Sequence, residues 1–160
     1  MLRQGSAALT VLVDEGPIGS AQGLTLSPDG RYLYVADYVQ GVVRVEIASG
    51  AATLMPVPAE AAVTGIDGLV LHAGSLIGVQ NGLRPHRLVR LRLDPAGQRI
   101  TKVETLERNH PDFDEPTLAA MVDGSVYYVA NSQYDRVKQD GSLDTERLRH
   151  PTILRLRLPR

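Results

Sequence analysis

Apolar and polar positions alternate along this chain in short bursts, and one burst is written three times. GLTLSPDGRYLYVADY (23–38), GLVLHAGSLIGVQNG (68–82) and PTLAAMVDGSVYYVANS (116–132) each read as an apolar strand, a Gly-containing turn and a second apolar strand ending on Asp or Asn. In SPDG and VDG, Asp and Gly supply the side-chain acceptor and the permissive φ that a tight reversal needs. The second-strand endings YVADY, IGVQN and YVANS place Asp37, Asn81 and Asn131 at one repeat position.

A third element follows each hairpin with strict period two: VVRVEI (42–47), LVRLRL (88–93) and ILRLRL (153–158). Val43, Val45 and Ile47 share one face with their counterparts Val89, Leu91, Leu93 and Leu154, Leu156, Leu158. Arg44, Arg90 and Arg155 share the other, read as a solvated or partly packed outer face. ATLMPV (52–57) and ITKVETLE (100–107) add a fourth strand to the first two units. AALTVLV (7–13) is an orphan outer strand with no hairpin before it.

The hairpins begin at Gly23, Gly68 and Pro116, 45 and then 48 residues apart. Four-stranded units of roughly 40–50 residues are the mark of propeller blades. The expectation is therefore an all-β chain of three four-stranded blades at about 21–57, 66–107 and 114–158, half of a six-bladed propeller. A three-blade arc leaves two blade faces bare. Either two chains close one ring as a homodimer, AALTVLV completing the partner's third blade, or the missing N-terminal blades belong to a longer chain.

Propeller geometry sorts the polar residues onto two rims. Gln22, Asp67 and Glu115 precede the three innermost strands and ring the channel, with Asp37, Asn81, Asn131, Arg84 and His86 on the same rim. The long insertion 132–151 opens there too, either a binding loop or a solvated excursion. Carboxylate and amide oxygens converging on one axis suit a hard divalent cation, and the competing role of such residues is to cap strand ends. Asp67 is the candidate for both metal ligand and general base, Gln22 and Glu115 for further ligands.

Composition narrows the classes. With 43% hydrophobic residues, a net charge of −1, one Phe and no Trp among 160 residues, nothing favours nucleic acid or an anionic membrane surface. The absence of Cys removes disulfides, thiolate metal sites and a Cys nucleophile. No apolar run has bilayer-spanning length, so a cytoplasmic location is the expectation. His residues lack metal-ligand spacing, and no GxSxG, phosphate loop or dinucleotide motif occurs.

AQGLTLSPDGRYLYVADY followed by IDGLVLHAGSLIGVQNG resembles the senescence-marker-protein/gluconolactonase/luciferin-regenerating-enzyme family of six-bladed propellers, over the C-terminal half of that fold. The resemblance implies a divalent metal (Ca, Mg, Mn or Zn), with Asp67 of IDGLVL as metal-binding, catalytic Asp. Gln22 stands where the family has Asn, and the first-blade Glu ligand would lie in sequence this chain lacks. Glu115 has no counterpart among the family's ligands. The implied reaction is metal-dependent hydrolysis of a lactone or related ester, with Asn81, Arg84, His86, Asp37 and Asn131 toward a small-molecule substrate. The rival readings are a non-catalytic NHL-type binding scaffold and an inactive truncated fragment.

Overall fold

In the computed structural model, residues 8–14 and 16–159 are described. They form three antiparallel sheets in chain order. Sheet 1 holds β1 (Ala21–Leu26), β2 (Tyr32–Asp37), β3 (Gly41–Glu46) and β4 (Ala52–Leu54). Sheet 2 holds β5 (Ile66–His72), β6 (Ser75–Gln80), β7 (Arg87–Leu93) and β8 (Ile100–Arg108). Sheet 3 holds β9 (Thr117–Val122), β10 (Ser125–Val129) and β11 (Ile153–Arg157). Each sheet is a meander, every strand pairing with its sequence neighbour.

The turns follow from local chemistry. Ala73–Gly74 and Asp123–Gly124 carry positive φ at both central positions, the left-handed pair that matches strand twist in a two-residue hairpin. SPDG closes differently: Ser27 donates to Asp29 at 2.6 Å and accepts the Tyr32 N–H at 2.9 Å.

The first strands lie side by side, β1 against β5 and β5 against β9. Two glycines allow this approach. A Cβ at Gly23 would stand 2.5 Å from the Asp67 carbonyl, and one at Gly68 would stand 2.8 Å from Leu118 backbone. Between sheets 1 and 2, Tyr34, Ala36 and Val42 meet Leu76, Val89 and Leu91. Between sheets 2 and 3, Ile77, Val79 and Leu88 meet Val126, Tyr128 and Leu158. Sheet 2 is covered on both faces, which is why all six residues of β6 are buried.

Several expectations change. The third sheet has three strands among the described residues, matching the fourth strand read in the first two units alone, so the four-stranded count holds for two of the three blades. Residues 8–13 are not a strand: Leu9 alone makes a bridge, and Leu12 and Val13 lie with Ile18 on the open face of sheet 1. Ala7 falls outside the described residues. The arginine stripe is not uniformly solvated either. Sheets 1 and 2 turn it toward the next sheet, so Arg90 is 9% exposed and Arg44 stacks 4.5 Å over the Tyr32 ring; Arg155, with no sheet beyond it, is exposed.

Candidate functional site

One rim of the three sheets carries a cleft of about 530 Å³ lined by Gln22, Tyr38, Asp67, Asn81, Glu115, Thr117, Ser132 and Tyr134. Its construction is repetitive. Counting back seven residues from Gly74 and Gly124, the second turn positions of two hairpins, reaches Asp67 and Thr117, and Gln22 precedes Gly23 as Asp67 precedes Gly68. Counting forward six residues from Ser75 and Ser125 reaches Asn81 and Asn131. Asp37 and Gln80 each close a second strand, so Tyr38 rather than Asp37 is the counterpart of Asn81.

Asp67 is the most constrained group. Thr117 Oγ1 donates to its Oδ2 at 2.6 Å and Asn81 Nδ2 donates to the same oxygen at 2.9 Å. The Tyr38 hydroxyl donates to Asn81 Oδ1 at 2.9 Å, so a polar chain runs from sheet 1 through sheet 2, while Thr117 ties in sheet 3. Burial raises the Tyr38 hydroxyl above its usual pKa, and the Asp67 and Glu115 charges raise it further, which keeps it a donor. Both donors to Asp67 engage Oδ2, leaving Oδ1 as the oxygen free to face a ligand.

Glu115 enters from the loop before β9 with φ +61, a left-handed conformation rare outside Gly. Its Oε2 is buried without a hydrogen-bond partner. A buried carboxylate oxygen left unmatched is costly unless something positive or proton-bearing meets it. Gln22 is freer, its amide nitrogen reaching the Ser20 hydroxyl at 3.4 Å.

The remaining sequence candidates lie beside the cleft. Arg84 and His86 do not line it: an Arg84 guanidinium nitrogen contacts His86 Nε2, and His86 is buried. Burial and the Arg84 charge hold the His86 pKa below 6.5, so the neutral ring that accepts from Arg84 is favoured. Asp37 and Asn131 clasp backbone. Asp37 takes the N–H groups of Gly19, Ser20, Val39 and Gln40 at 2.6–3.0 Å. Asn131 donates to the His150 carbonyl and accepts from Thr152. Gln80, not singled out from the sequence, does the same for Ala62 and Thr64.

The 132–151 segment is pinned rather than loose. Gln133 bonds both ways to Arg149, and Asp114 takes Arg136 at 2.8 Å and Arg149 at 2.9 Å. This delivers Tyr134, 75% exposed, to the cleft wall. Thr117, Tyr38 and Tyr134 are the lining residues that motif reading passes over. The signal for Thr117 was its distance from the turn.

A second cleft of about 430 Å³ opens on the opposite rim, between Tyr32, Tyr34 and Pro95. Its two acids already close turns: Asp29 takes Ser27 and the Arg31 N–H, and Asp94 takes the N–H groups of Gln98 and Arg99.

Solved structures of larger proteins superpose on the chain over part of their length. A gluconolactonase from Xanthomonas campestris matches with TM-score 0.60 and 16% identity over 92% of this chain and 46% of its own. A calcium-binding regucalcin from Agrobacterium tumefaciens matches with TM-score 0.54 and 18% identity, over 88% and 46%. The fold is that of a β-propeller. A PQQ-bound aldose sugar dehydrogenase from Streptomyces coelicolor also matches, with TM-score 0.60 and 19% identity over 78% and 42%. The chain thus spans less than half the length of these three propellers, whose differing chemistries show how little this fold says about reaction. No family model and no curated protein matches the sequence. Among the described residues no helix is long and apolar enough to cross a membrane.

Proposed function

We propose that the three sheets are half of a six-bladed propeller, and that the Asp67 cleft hydrolyses a lactone or related ester with the help of a divalent cation. The observation that carries this reading is the buried, unpartnered Glu115 Oε2 beside an Asp67 whose other oxygen is held by Thr117 and Asn81. That donor set fits a hard cation: two carboxylates, with the Gln22 amide among the residues that line the same cleft. Asp67 and Glu115 would hold the ion, which when bound supplies polarisation of an ester carbonyl. The gluconolactonase and the calcium-binding regucalcin of the same fold add support.

The chain's own residues do the rest. The Thr117 and Asn81 bonds fix the plane of the Asp67 carboxylate and leave Oδ1 to accept a proton from an attacking water. Tyr38 fixes Asn81, and Tyr134 and Ser132, which also line the cleft, offer hydroxyls to a polyhydroxy substrate.

Calorimetric titration with Ca²⁺, Mg²⁺, Mn²⁺ and Zn²⁺, alongside ring opening of an aldonolactone, tests the reading. Saturable binding that Asp67→Ala and Glu115→Gln abolish, with turnover above the buffer rate, is the expected result. Failure of a folded, assembled chain to bind any of the four ions overturns it. One observation favours the non-catalytic scaffold as second reading: no three His, Asp or Glu side chains cluster as a metal site among the described residues.

A further inference from the structure

The cleft of about 430 Å³ on the rim opposite Asp67 lies at the junction of sheets 1 and 2, and all of its lining falls within residues 27–97. Its volume is that of a small-molecule site, for which about 300–1,000 Å³ is usual. Pro28, Tyr32, Leu71, Leu93 and Pro95 supply apolar lining, and Tyr34 joins them from the core, only 2% exposed. Leu71 and Leu93 pack against the core between the two sheets yet stay only partly buried. The apolar lining is therefore the end of that core, left uncovered.

The polar groups of the lining are held by the fold. The Tyr34 hydroxyl donates to the Gly97 carbonyl at 3.0 Å, and no donor meets its oxygen among the described residues. A Cβ at Gly97 would stand 2.2 Å from that oxygen, so only glycine lets this turn close on the ring. Asp29 and Asp94 close their turns through Oδ1, and among the described residues no other residue's donor meets Oδ2 of either. The Ser27 hydroxyl and the Arg31 N–H hold the Asp29 carboxyl below its usual pKa, so it is charged at neutral pH. Burial raises the Tyr34 pKa; the Arg44 charge opposes this, and the Asp29 and Asp94 charges add to it, so both carboxylates bear on the same ring. The lining holds these two acids and no Lys, Arg or His. Arg44 and Arg31 lie over the Tyr32 ring at 4.5 and 5.4 Å, but neither lines the cleft.

We propose that this cleft binds a small organic cation, a protonated amine whose apolar body rests on Tyr32, Tyr34, Leu71 and Leu93 and whose N–H groups reach Asp29 and Asp94. An anion would meet two like charges there. A neutral apolar body would take water from both carboxylates and return nothing to them. An ammonium supplies charge-assisted donors to the open Oδ2 atoms, and the Tyr34 oxygen is a further acceptor. The lining comes from three chain reversals, at 27–30, 73–74 and 94–97, and the strand ends beside them. That suits a compact body, whereas a peptide adding as a strand needs an open strand edge. The site is separate from the Asp67 cleft and rests neither on the hydrolase reading nor on the number of blades.

NMR titration of the full chain with phenethylamine, phenethyl alcohol and hydrocinnamate tests this. The amine is expected to bind saturably, about tenfold tighter than the alcohol, and the carboxylate not at all. Asp29→Asn and Asp94→Asn keep an Oδ1 acceptor for each turn and remove the charge, so each should weaken the amine about threefold and leave the alcohol unchanged. Ala96→Tyr, at an exposed lining position, should fill the cleft and abolish binding of both. Asp67→Ala should change neither. Equal affinity for amine and alcohol, charge-removed variants that bind like the parent chain, or no saturable binding overturns the proposal. So does loss of binding in Asp67→Ala, which would put the amine in the other cleft, or a lysine-rich peptide that binds where the amine does not.

Discussion

Thr117 donates a 2.6 Å hydrogen bond to the Asp67 carboxylate from fifty residues away and from a different sheet. Charge-assisted bonds of this length contribute about 1.5–3 kcal/mol when shielded from solvent, less where water reaches them. Thr117→Val is expected to cost about 1–2 kcal/mol, and Thr117→Ser almost nothing. A double-mutant cycle with Asp67→Asn, followed by urea unfolding, should give a coupling of about 1 kcal/mol or more. Additive effects would show that the bond contributes nothing.

Gly23 and Gly68 set the spacing of the inner strands. Alanine at either position puts a methyl group 2.5–2.8 Å from the backbone of the next sheet, which no side-chain rotation relieves. Either substitution should lower stability by about 2–3 kcal/mol or more. Gly124→Ala, with open space but φ +72, should cost about 1 kcal/mol. Thermal melts rank the three, and an equal loss at all of them would refute the packing argument.

Burial pushes the Asp37 carboxyl up, but four backbone N–H donors outweigh it and hold its pKa below 3.8. A depressed folded pKa means the stabilisation is complete above 3.8 and is lost as pH falls through the folded value. Asp37→Asn should therefore be destabilised at pH 7, and its deficit should shrink as the pH drops below about 4. Urea midpoints at pH 7 and pH 3 decide it; a constant deficit goes against the clasp.

For His86 the neutral form is the one the fold prefers. Its folded pKa lies below 6.5, so protonation penalises the native state as pH falls from 6.5 through the folded value, and stability is flat above that window. His86→Gln should remove this slope. Melting temperatures of both proteins from pH 5 to 8 test it, and parallel curves would show that the ring titrates freely.

How much of this was legible in the chain depends on which residues carry it. Strict alternation placed the three hairpins and their third strands, because period two with one buried face has few other solutions. It misjudged Arg90, since alternation reports two faces and cannot say that a middle sheet buries both. Residues 8–13 are as apolar as a strand, yet Leu9 alone makes a bridge, and Leu12 and Val13 spend their apolar side chains on the open face of sheet 1. Asp67 stood out through the IDG phrase. Thr117 did not, because Leu118 replaces the glycine that would have signalled the repeat, and Glu115 drew the eye instead.

The backbone clasps of Asp37, Gln80 and Asn131 each fasten a sheet to its own flanking loop. Among the described residues, the side-chain bonds that cross between sheets on this rim are those of the cleft: Tyr38 to Asn81 and Thr117 to Asp67. The cleft is therefore also the suture of the rim. A ligand seated in it grips all three sheets at once, so occupancy should register as resistance of the arc to splaying, and cooperative unfolding becomes a gauge of binding that needs no turnover.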